Sequence, residues 1–325
     1  MSDQQIQKVK VRHLARVGLW SKDVATQARF YCQVLGLDVH ATSEVGTNQH
    51  PEIAEANVYL GLGEEQHCLG LYHETRPMIG SPARYSSLHH LTFEVDTAAE
   101  LAALAARLKL SGLEFTLGTS DNASDMHDSL WFKDPDGNSI EIAVAPEDLL
   151  LSPTIVAPPR GRRTVLRPHS IQHIALYTPR LDTMVEFYIE ALGFDISDWL
   201  LRERAWLRCN QNHHTLLFIQ GESGVDHVAY SVADGAELLR WGDYLSMHQV
   251  PILWGPGRHG AGNDLFLRFA DSEGIHLELS AEMQQYYDQD VTIPPRLWHT
   301  RTKALNLWGT LPPWLREEAQ VSFSG

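Results

Sequence analysis

Apolar and polar residues alternate with a period of two in several runs of the chain, and helical spacing follows the first of these runs. Val11 to Trp20 is predicted to be the first strand. Ser21-Lys22-Asp23 is a helix-start signal, and the apolar spacing predicts a helix over Val24 to Leu35 that Gly36 ends. The chain therefore opens with a strand followed directly by a helix.

The same pattern occurs twice. The segment Phe30 to Asp38 lies over Phe187 to Asp195, sharing Phe-Tyr, Leu-Gly and the final Asp. Further along, Leu88 to Val95 lies over Val225 to Val232. The chain is therefore a duplication, and the first half holds extra residues that we place around positions 44–55.

Two further segments repeat in the same order. Asp134 to Glu141 lies over Asp271 to Glu278, and helices are predicted ahead of them over Ala98 to Leu110 and Gly235 to Met247. Each half thus contains strand, helix and strands, twice over. The strand-rich runs favour antiparallel pairing, so we predict an α+β fold with an open, strongly curved mixed sheet in each half.

The domain boundaries follow from composition. We predict a first domain over residues 1–151, a Pro- and Arg-rich linker over 152–168, a second domain over 169–283 and a tail over 284–325. The tail carries Trp298, Trp308 and Trp314. Three tryptophans are seldom left in water, so the tail is expected to cover another part of the protein.

The duplication also indicates a metal site. His227 and Glu278 come from two separate strands of the second half, and His173 lies over Arg16 when the halves are aligned. The second half therefore offers two imidazoles and a carboxylate, whereas the first offers Arg16, His90 and Glu141. Two histidines and one carboxylate leave one face of a metal open, an arrangement typical of non-haem Fe(II) oxygenases.

Two alternatives remain open from spacing alone. His227 and Glu278 are also explained as ordinary strand residues that share descent with His90 and Glu141. His169 is the nearest competing ligand, although it falls outside the repeat register.

Composition narrows the partners and the compartment. A net charge of −15 argues against nucleic acid and anionic membrane surfaces, which would repel the protein. The three cysteines form no CxxC pair, which favours a reduced compartment, and no long apolar run predicts a membrane span. No secretory signal precedes the first strand. We therefore expect a cytoplasmic protein.

Several motifs in this order resemble a known family. They are the segment Ala205 to His214, the turn Gly255-Pro256-Gly257-Arg258-His259-Gly260, and Leu307-Trp308-Gly309 with Pro312-Pro313-Trp314 after it. Together with the histidines and the glutamate, they resemble the type I extradiol ring-cleavage dioxygenases of the vicinal oxygen chelate superfamily. The similarity covers nearly the whole chain and is strongest to the catechol and homoprotocatechuate 2,3-dioxygenase group.

The resemblance implies a fold and an activity. It implies two domains of two βαβββ modules each, the vicinal oxygen chelate or glyoxalase-like fold, with Fe(II) only in the second domain. His173, His227 and Glu278 match the metal ligands, and Mn(II) suits the same donors. The implied reaction is extradiol (meta) cleavage of a catecholic aromatic by dioxygen, giving a ring-opened semialdehyde or keto acid. A homotetramer is the implied assembly.

The resemblance also suggests roles for individual residues. His214 and His259 match the acid/base and substrate-contacting histidines, although strand alternation alone does not choose between His213 and His214. Trp206 matches a pocket aromatic, and Trp254 is a second candidate pocket wall. Arg268 stands where the family has a tyrosine, and we predict that it holds a charged substituent or a developing oxyanion.

One further departure bears on the substrate. Ala304 and Leu305 replace the paired arginines that bind the side-chain carboxylate in homoprotocatechuate enzymes, which argues against that substrate. Two other functions remain as alternatives: a glyoxalase-like metal-dependent lyase or isomerase, and a non-catalytic small-molecule-binding protein. Members of the latter kind lack the metal-binding residues.

Overall fold

The fold is taken from a computed structural model that describes residues 10–43, 57–62, 67–74, 87–119, 128–145, 166–288, 291 and 293–315. The extra residues expected around 44–55 and most of the linker expected over 152–168 lie outside the described residues. The proposed domain boundaries therefore stay a prediction.

The first half forms one sheet of eight strands. Its strands are β1 (His13–Ser21), β2 (Asp38–Ser43), β3 (Asn57–Gly61), β4 (His67–His73), β5 (Leu88–Val95), β6 (Phe115–Thr119), β7 (Asp128–Lys133) and β8 (Ser139–Val144). They run in the order β2-β3-β4-β1-β5-β8-β7-β6.

The second half forms a sheet of nine strands. They are β9 (Ser170–Thr178), β10 (Asp195–Leu200), β11 (Arg204–Arg208), β12 (Leu216–Gln220), β13 (Gly224–Ser231), β14 (Trp254–Arg258), β15 (Leu265–Ala270), β16 (His276–Ala281) and β17 (Arg296–Trp298). The strand order is β14-β15-β16-β13-β9-β12-β11-β10-β17. Read from the opposite edge, it matches the order of the first sheet, with β17 from the tail added beside β10.

Both sheets are mixed, as the duplication predicted. The strands β1 and β4 pair in parallel, as do β9 and β12, whereas the central pairs β1/β5 and β9/β13 are antiparallel. The strand-rich runs of the second half pair antiparallel, with β11 against β12 and β15 against β16. The expected α+β fold of two mixed sheets is confirmed.

Equivalent helices have equivalent ends. Helices α2 (Ala98–Leu110) and α4 (Gly235–Met247) have the predicted bounds. Thr97 caps α2 by accepting a hydrogen bond from the Glu100 N–H, and Asp234 caps α4 by accepting one from the Glu237 N–H. Such caps satisfy backbone donors that the first turn leaves unpaired. A short helix, α5 (Arg301–Leu305), lies in the tail.

The first predicted helix differs from expectation in its second part. Helix α1 covers Val24–Phe30, and Tyr31–Leu35 continues as a π-helix, in which the Gly36 N–H donates to the Tyr31 carbonyl five residues back. Its counterpart α3 (Leu181–Leu192) has no such segment. Both end at a left-handed glycine, Gly36 at φ 70° and Gly193 at φ 77°, as the sequence predicted.

The repeated Phe-Tyr and Asp motifs connect the two halves. The Tyr31 hydroxyl of the first half donates to Asp271 of the second at 3.2 Å, and the Tyr188 hydroxyl of the second donates to Asp134 of the first at 3.2 Å. All four residues are buried. The tyrosine and aspartate that both halves share are thus explained by a reciprocal interface between the halves.

The tail is only partly covered by the rest of the protein. Trp298 and Trp314 pack against a buried cluster, so the tail covers another part of the protein as expected, whereas Trp308 is 60% exposed. The Trp308 ring lies 5.4 Å from the Arg258 guanidinium carbon, a cation–π contact that an aromatic ring can make at the surface. No helix of the described residues has the length and apolar character needed to cross a membrane.

Candidate metal centre

Three neighbouring strands bring the predicted ligands together. His173 on β9 lies opposite Ala229 on β13, and Ala229 lies opposite Glu278 on β16. His227 is two positions before Ala229, so it points to the same face of the sheet. The small Ala229 side chain leaves room for two imidazoles and a carboxylate to meet above it.

The donor atoms converge at short distances. The Nε2 atoms of His173 and His227 are 3.0 Å apart, and Glu278 Oε1 is 3.7 Å from His173 Nε2. All three residues are 1% exposed. Two metal bonds of about 2.1 Å at right angles end about 3 Å apart, which matches the imidazole pair.

The carboxylate also has a free coordination position. Glu278 Oε1 is buried and has no hydrogen-bond partner among the described residues. Nitrogen and oxygen donors in this combination suit a divalent transition metal. The residues present therefore fit such an ion.

A buried aspartate orients one of the ligands. His227 Nδ1 lies 2.6 Å from Asp226 Oδ2, and the Tyr177 hydroxyl donates to Asp226 Oδ1 at 2.8 Å. Burial alone would raise the pKa of Asp226, but the His227 hydrogen bond and the Arg268 charge hold it well below its usual value. An ionised Asp226 takes the hydrogen on Nδ1, so His227 Nε2 keeps its lone pair for a metal.

Arg268 lies among the ligands rather than at a free substrate position. Its Nε donates to Glu278 Oε2 at 2.6 Å, and its Nη1 donates to Asp226 Oδ2 at 3.2 Å. Its Nη2 is 3.2 Å from His227 Nε2. One guanidinium thus contacts Glu278 and Asp226 and also lies within hydrogen-bond distance of His227 Nε2, the nitrogen that would bind a metal. Glu278 Oε1 has no hydrogen-bond partner among the described residues. Its predicted role toward substrate stays a prediction.

One cavity collects every residue that the sequence singled out for metal, catalysis or substrate. It is lined by His173, Trp206, His214, His227, Trp254, His259, Arg268 and Glu278, together with Arg204, Leu217, Leu305 and Leu315. The last four were not predicted. Arg204 had a sequence signal, because it is two residues before Trp206 on β11 and therefore shares its face. Leu305 and Leu315 come from the tail; Leu305 had a signal in the resemblance, since it replaces a substrate-binding arginine, and Leu315 had none.

His214 faces this cavity, and His213 lies behind it. The His214 ring centroid is 4.2 Å from that of His173, and its Nδ1 is 3.1 Å from His213 Nδ1. Burial, with the neighbouring His173 and His213, lowers the pKa of His214 well below its usual value. His169, the competing ligand candidate, is exposed and outside the cavity.

His259 is buried and oriented at both ring nitrogens. Its Nδ1 donates to the Leu305 carbonyl at 2.5 Å, and its Nε2 lies 3.5 Å from Glu278 Oε2. The ring stacks on Phe266 with centroids 3.9 Å apart. The tail carbonyl and the Phe266 ring thus hold His259 in position.

Comparison with known proteins agrees with this fold and site. The Glyoxalase/Bleomycin resistance protein/Dioxygenase superfamily profile matches residues 12–142 and 170–279, and the chain belongs to this family. The resemblance inferred from the motifs is therefore confirmed.

Individual relatives narrow the comparison. The chain is 30% identical to Metapyrocatechase 2 of Cupriavidus necator over 278 residues, and this aligned region covers 80% of this chain and 78% of that protein. It is 26% identical over 302 residues to the Iron-dependent extradiol dioxygenase of Rhodococcus jostii (strain RHA1), spanning 86% and 95%. The crystal structure of the Mn(II)-bound glyoxalase from Novosphingobium aromaticivorans matches with a TM-score of 0.73 at 26% identity, covering 94% and 93%. Iron and manganese both occur among these relatives.

Proposed function

We propose that the protein is an extradiol dioxygenase, an oxidoreductase that opens the ring of a catecholic aromatic with dioxygen in aromatic degradation. The observation that carries the proposal is the buried group of His173, His227 and Glu278 in the cavity that also holds His214 and His259. The two dioxygenase relatives support it.

The metal ligands are assigned from the converging donor atoms. His173 Nε2, His227 Nε2 and Glu278 Oε1 would hold Fe(II), and Mn(II) accepts the same donors. A metal held by these residues would supply Lewis-acid and redox chemistry to the catechol and dioxygen. In this proposal the first half binds no metal.

His214 is the proposed acid/base residue. It lines the cavity beside His173, within reach of a ligand placed at the metal position. It accepts the proton of a substrate hydroxyl and later returns it, a task that suits a positioned imidazole. His259, whose Nδ1 is held by the Leu305 carbonyl, turns Nε2 toward Glu278 and the substrate space.

The remaining cavity residues define the space for the ring. Trp206 and Trp254 are buried in the cavity wall, with Leu217 beside them, and offer apolar surface to an aromatic substrate. Arg268 adds positive charge near the catechol oxygens. Because its three nitrogens already face protein atoms, we assign its main contacts to the ligands and place any substrate contact second.

A glyoxalase-like lyase or isomerase is the second candidate, and the Mn(II)-bound glyoxalase fold match favours it. Ring cleavage is the better supported, because both dioxygenase relatives and the His214–His259 pair agree with it. The non-catalytic binding alternative does not explain a buried two-His, one-Glu group.

The test uses protein loaded anaerobically with Fe(II). Oxygen uptake and absorbance are followed with catechol, alkylcatechols, dihydroxybenzoates and dihydroxynaphthalene, and metal content is measured on the same sample. We expect about one dioxygen per catechol and a yellow ring-opened product. No uptake by iron-containing protein, combined with turnover of a hemithioacetal, would replace the proposal with the glyoxalase function.

A matched pair of variants tests the role of His214. His214→Asn should lower kcat about 10²- to 10⁴-fold while metal content stays unchanged, because only the proton transfer is lost. His169→Asn, at an exposed histidine outside the cavity, should leave kcat unchanged. Loss of metal in His214→Asn would contradict the acid/base assignment.

We further propose a cytoplasmic location and a homo-oligomeric assembly. The cysteines Cys32, Cys68 and Cys209 are all free, which supports a reducing compartment. The oligomer is implied by the family resemblance alone, and sedimentation would measure it.

A further inference from the structure

The histidine that faces the cavity is backed by a second buried histidine and a buried carboxylate. His214 Nδ1 lies 3.1 Å from His213 Nδ1, and His213 Nε2 lies 3.2 Å from Asp198 Oδ2. The three residues are 2% exposed or less. They form a chain of polar contacts from strand β10 to the cavity. The proposed reaction does not otherwise use His213 or Asp198.

The tail completes this line. The strand β17 pairs with β10 and brings two donors to Asp198. Arg296 donates from Nε to Oδ1 at 2.8 Å and from Nη2 to Oδ2 at 3.0 Å, and Trp298 Nε1 donates to Oδ2 at 2.7 Å. Bidentate guanidinium contacts keep a buried carboxylate ionised, so Asp198 acts as an acceptor.

The contacts with Asp198 favour one placement of the hydrogens. A neutral imidazole carries one N–H, and an ionised Asp198 beside His213 Nε2 takes that hydrogen as a charge-assisted bond. His213 Nδ1 is then a lone pair, so the hydrogen between the two Nδ1 atoms belongs to His214. His214 Nε2, the remaining nitrogen, has no hydrogen.

We propose that Asp198 and His213 are positioning residues that fix His214 with Nδ1 protonated and Nε2 unprotonated toward the cavity, and that β17 maintains this state through Arg296 and Trp298. The inference rests on the proposed function. In the reaction, the substrate O–H bond breaks and an N–H bond forms at His214 Nε2. The ionised Asp198 stabilises the resulting imidazolium through His213, until the proton returns to product.

One contact supports the opposite arrangement and makes the proposal testable. Arg296 Nη2 also lies 3.1 Å from His213 Nε2. If Nη2 donated there, His213 would carry its hydrogen on Nδ1, and His214 would carry its own on Nε2. Both states have the same heavy-atom positions, so the location of the hydrogen decides between them.

The first measurement is direct and independent of turnover. The full chain, labelled with ¹⁵N-histidine and free of metal, reports the protonated nitrogen of each ring by NMR, with His214 assigned from the spectrum of His214→Asn. We expect a protonated Nδ1 and an unprotonated Nε2 for His214. A protonated Nε2 in the wild type would overturn the proposal. The expected tautomer without any oxygen uptake would instead reject the dioxygenase function and leave the positioning role standing.

The second measurement separates positioning from general stability. Asp198→Asn should lower kcat about 10- to 100-fold, as changes to supporting partners commonly do, with KM within about twofold and metal content unchanged. Asp134→Asn is the matched control, because Asp134 is also buried and hydrogen-bonded but lies in the first half. It should leave kcat unchanged.

A milder variant covers the case in which Asp198→Asn does not fold. Trp298→Phe removes one donor to Asp198 and keeps the ring, so kcat should fall a few-fold with unchanged metal content, in the same direction as Asp198→Asn. Wild-type kcat in the folded Asp198 variant, or in Trp298→Phe if that variant alone folds, would overturn the proposal. A kcat loss that only follows metal loss would also overturn it.

Discussion

The two halves place the same carboxylate at the same position and give it different neighbours. In the first half, Arg16 Nη2 lies 3.2 Å from Glu141 Oε2, and the Thr92 hydroxyl donates to the same oxygen at 2.7 Å. In the second half, His173 stands in place of Arg16 and Ala229 in place of Thr92. The first half therefore has a fixed cation where the second half has the ligand His173, although Arg268 also contacts the second carboxylate at 2.6 Å.

The comparison shows that a free carboxylate oxygen is not enough to make a metal site. Glu141 Oε1 and Glu278 Oε1 are both buried without a hydrogen-bond partner among the described residues. An arginine has no lone pair to offer a metal, whereas the imidazoles beside Glu278 have two. The residues around the carboxylate therefore decide which half can bind metal.

The second histidine differs as well. The His90 ring lies against Gly18, where an added Cβ would come within 2.3 Å of its Nδ1, and that nitrogen is 2.7 Å from His89 Nδ1. In the second half Ala175 replaces Gly18, so its Cβ excludes the corresponding position for His227. The first half therefore differs from the second at two ligand positions: the His90 ring lies against Gly18, and Arg16 stands where the second half has His173.

The largest expected effect comes from making the second half resemble the first. His173→Arg should abolish stoichiometric metal binding and oxygen uptake, because a permanent charge replaces a ligand. Metal analysis and circular dichroism measure the loss and the retained fold. The reciprocal control Arg16→His should gain no metal, because His90 points at His89. Metal bound by the His173 variant at wild-type level would contradict the assignment.

The two carboxylates can be compared in the same way. Glu278→Gln should weaken metal binding more than about 100-fold, since changes to outer partners alone cost 10- to 100-fold. Glu141→Gln should leave metal affinity unchanged and lower the free energy of unfolding by about 2 kcal/mol, because buried Arg16 loses one of its carboxylate partners and keeps Glu94. Metal titration and urea unfolding of both variants give the contrast. Equal metal loss in the two would remove the distinction between the halves.

Arg268 sharpens the comparison further, since its counterpart in the first half is Trp131. Arg268→Lys should weaken metal binding about 10- to 100-fold, because a lysine cannot contact Glu278 and Asp226 together. Trp131→Phe is the matched control and should have no effect on metal. If metal affinity stays the same while the ranking of catechols changes, Arg268 selects substrate, as the sequence suggested.

The smallest effect is expected where the halves are alike. Tyr31→Phe and Tyr188→Phe should each lower the free energy of unfolding by about 1 kcal/mol, the usual net value of one hydrogen bond. Urea unfolding measures both. A clearly larger loss in only one variant would show that the interface is not reciprocal.

The sequence predicted most of the fold because the duplication supplied an internal alignment. The helices Ala98–Leu110 and Gly235–Met247 and the antiparallel runs followed from periodicity and caps. The π-helical segment after Phe30 did not, because a shift in hydrogen-bond register leaves the apolar pattern unchanged. The ligands His173, His227 and Glu278 were predicted because they lie on strands whose faces can be counted. His214 and His259 lie outside the strands and were predicted from their motifs alone.

What surrounds the cavity residues was not predictable. Asp198 meets Arg296 and Trp298 across about a hundred residues of chain, with no spacing that relates them. The only sequence signal for Asp226 was its position next to His227. Such contacts depend on which strands become neighbours in the sheet, and β17 joins its edge from the tail. The same holds for Tyr31 and Asp271, whose repeat was visible but whose partnership needed the fold.

The most direct test of the central claim is the number of metal ions per chain after anaerobic reconstitution with Fe(II) and removal of excess metal. The claim that only the second half binds metal predicts one ion per chain in the wild type, one in Glu141→Gln and none in His173→Arg. Two ions in the wild type, or one that survives His173→Arg and is lost in Glu141→Gln, would contradict it.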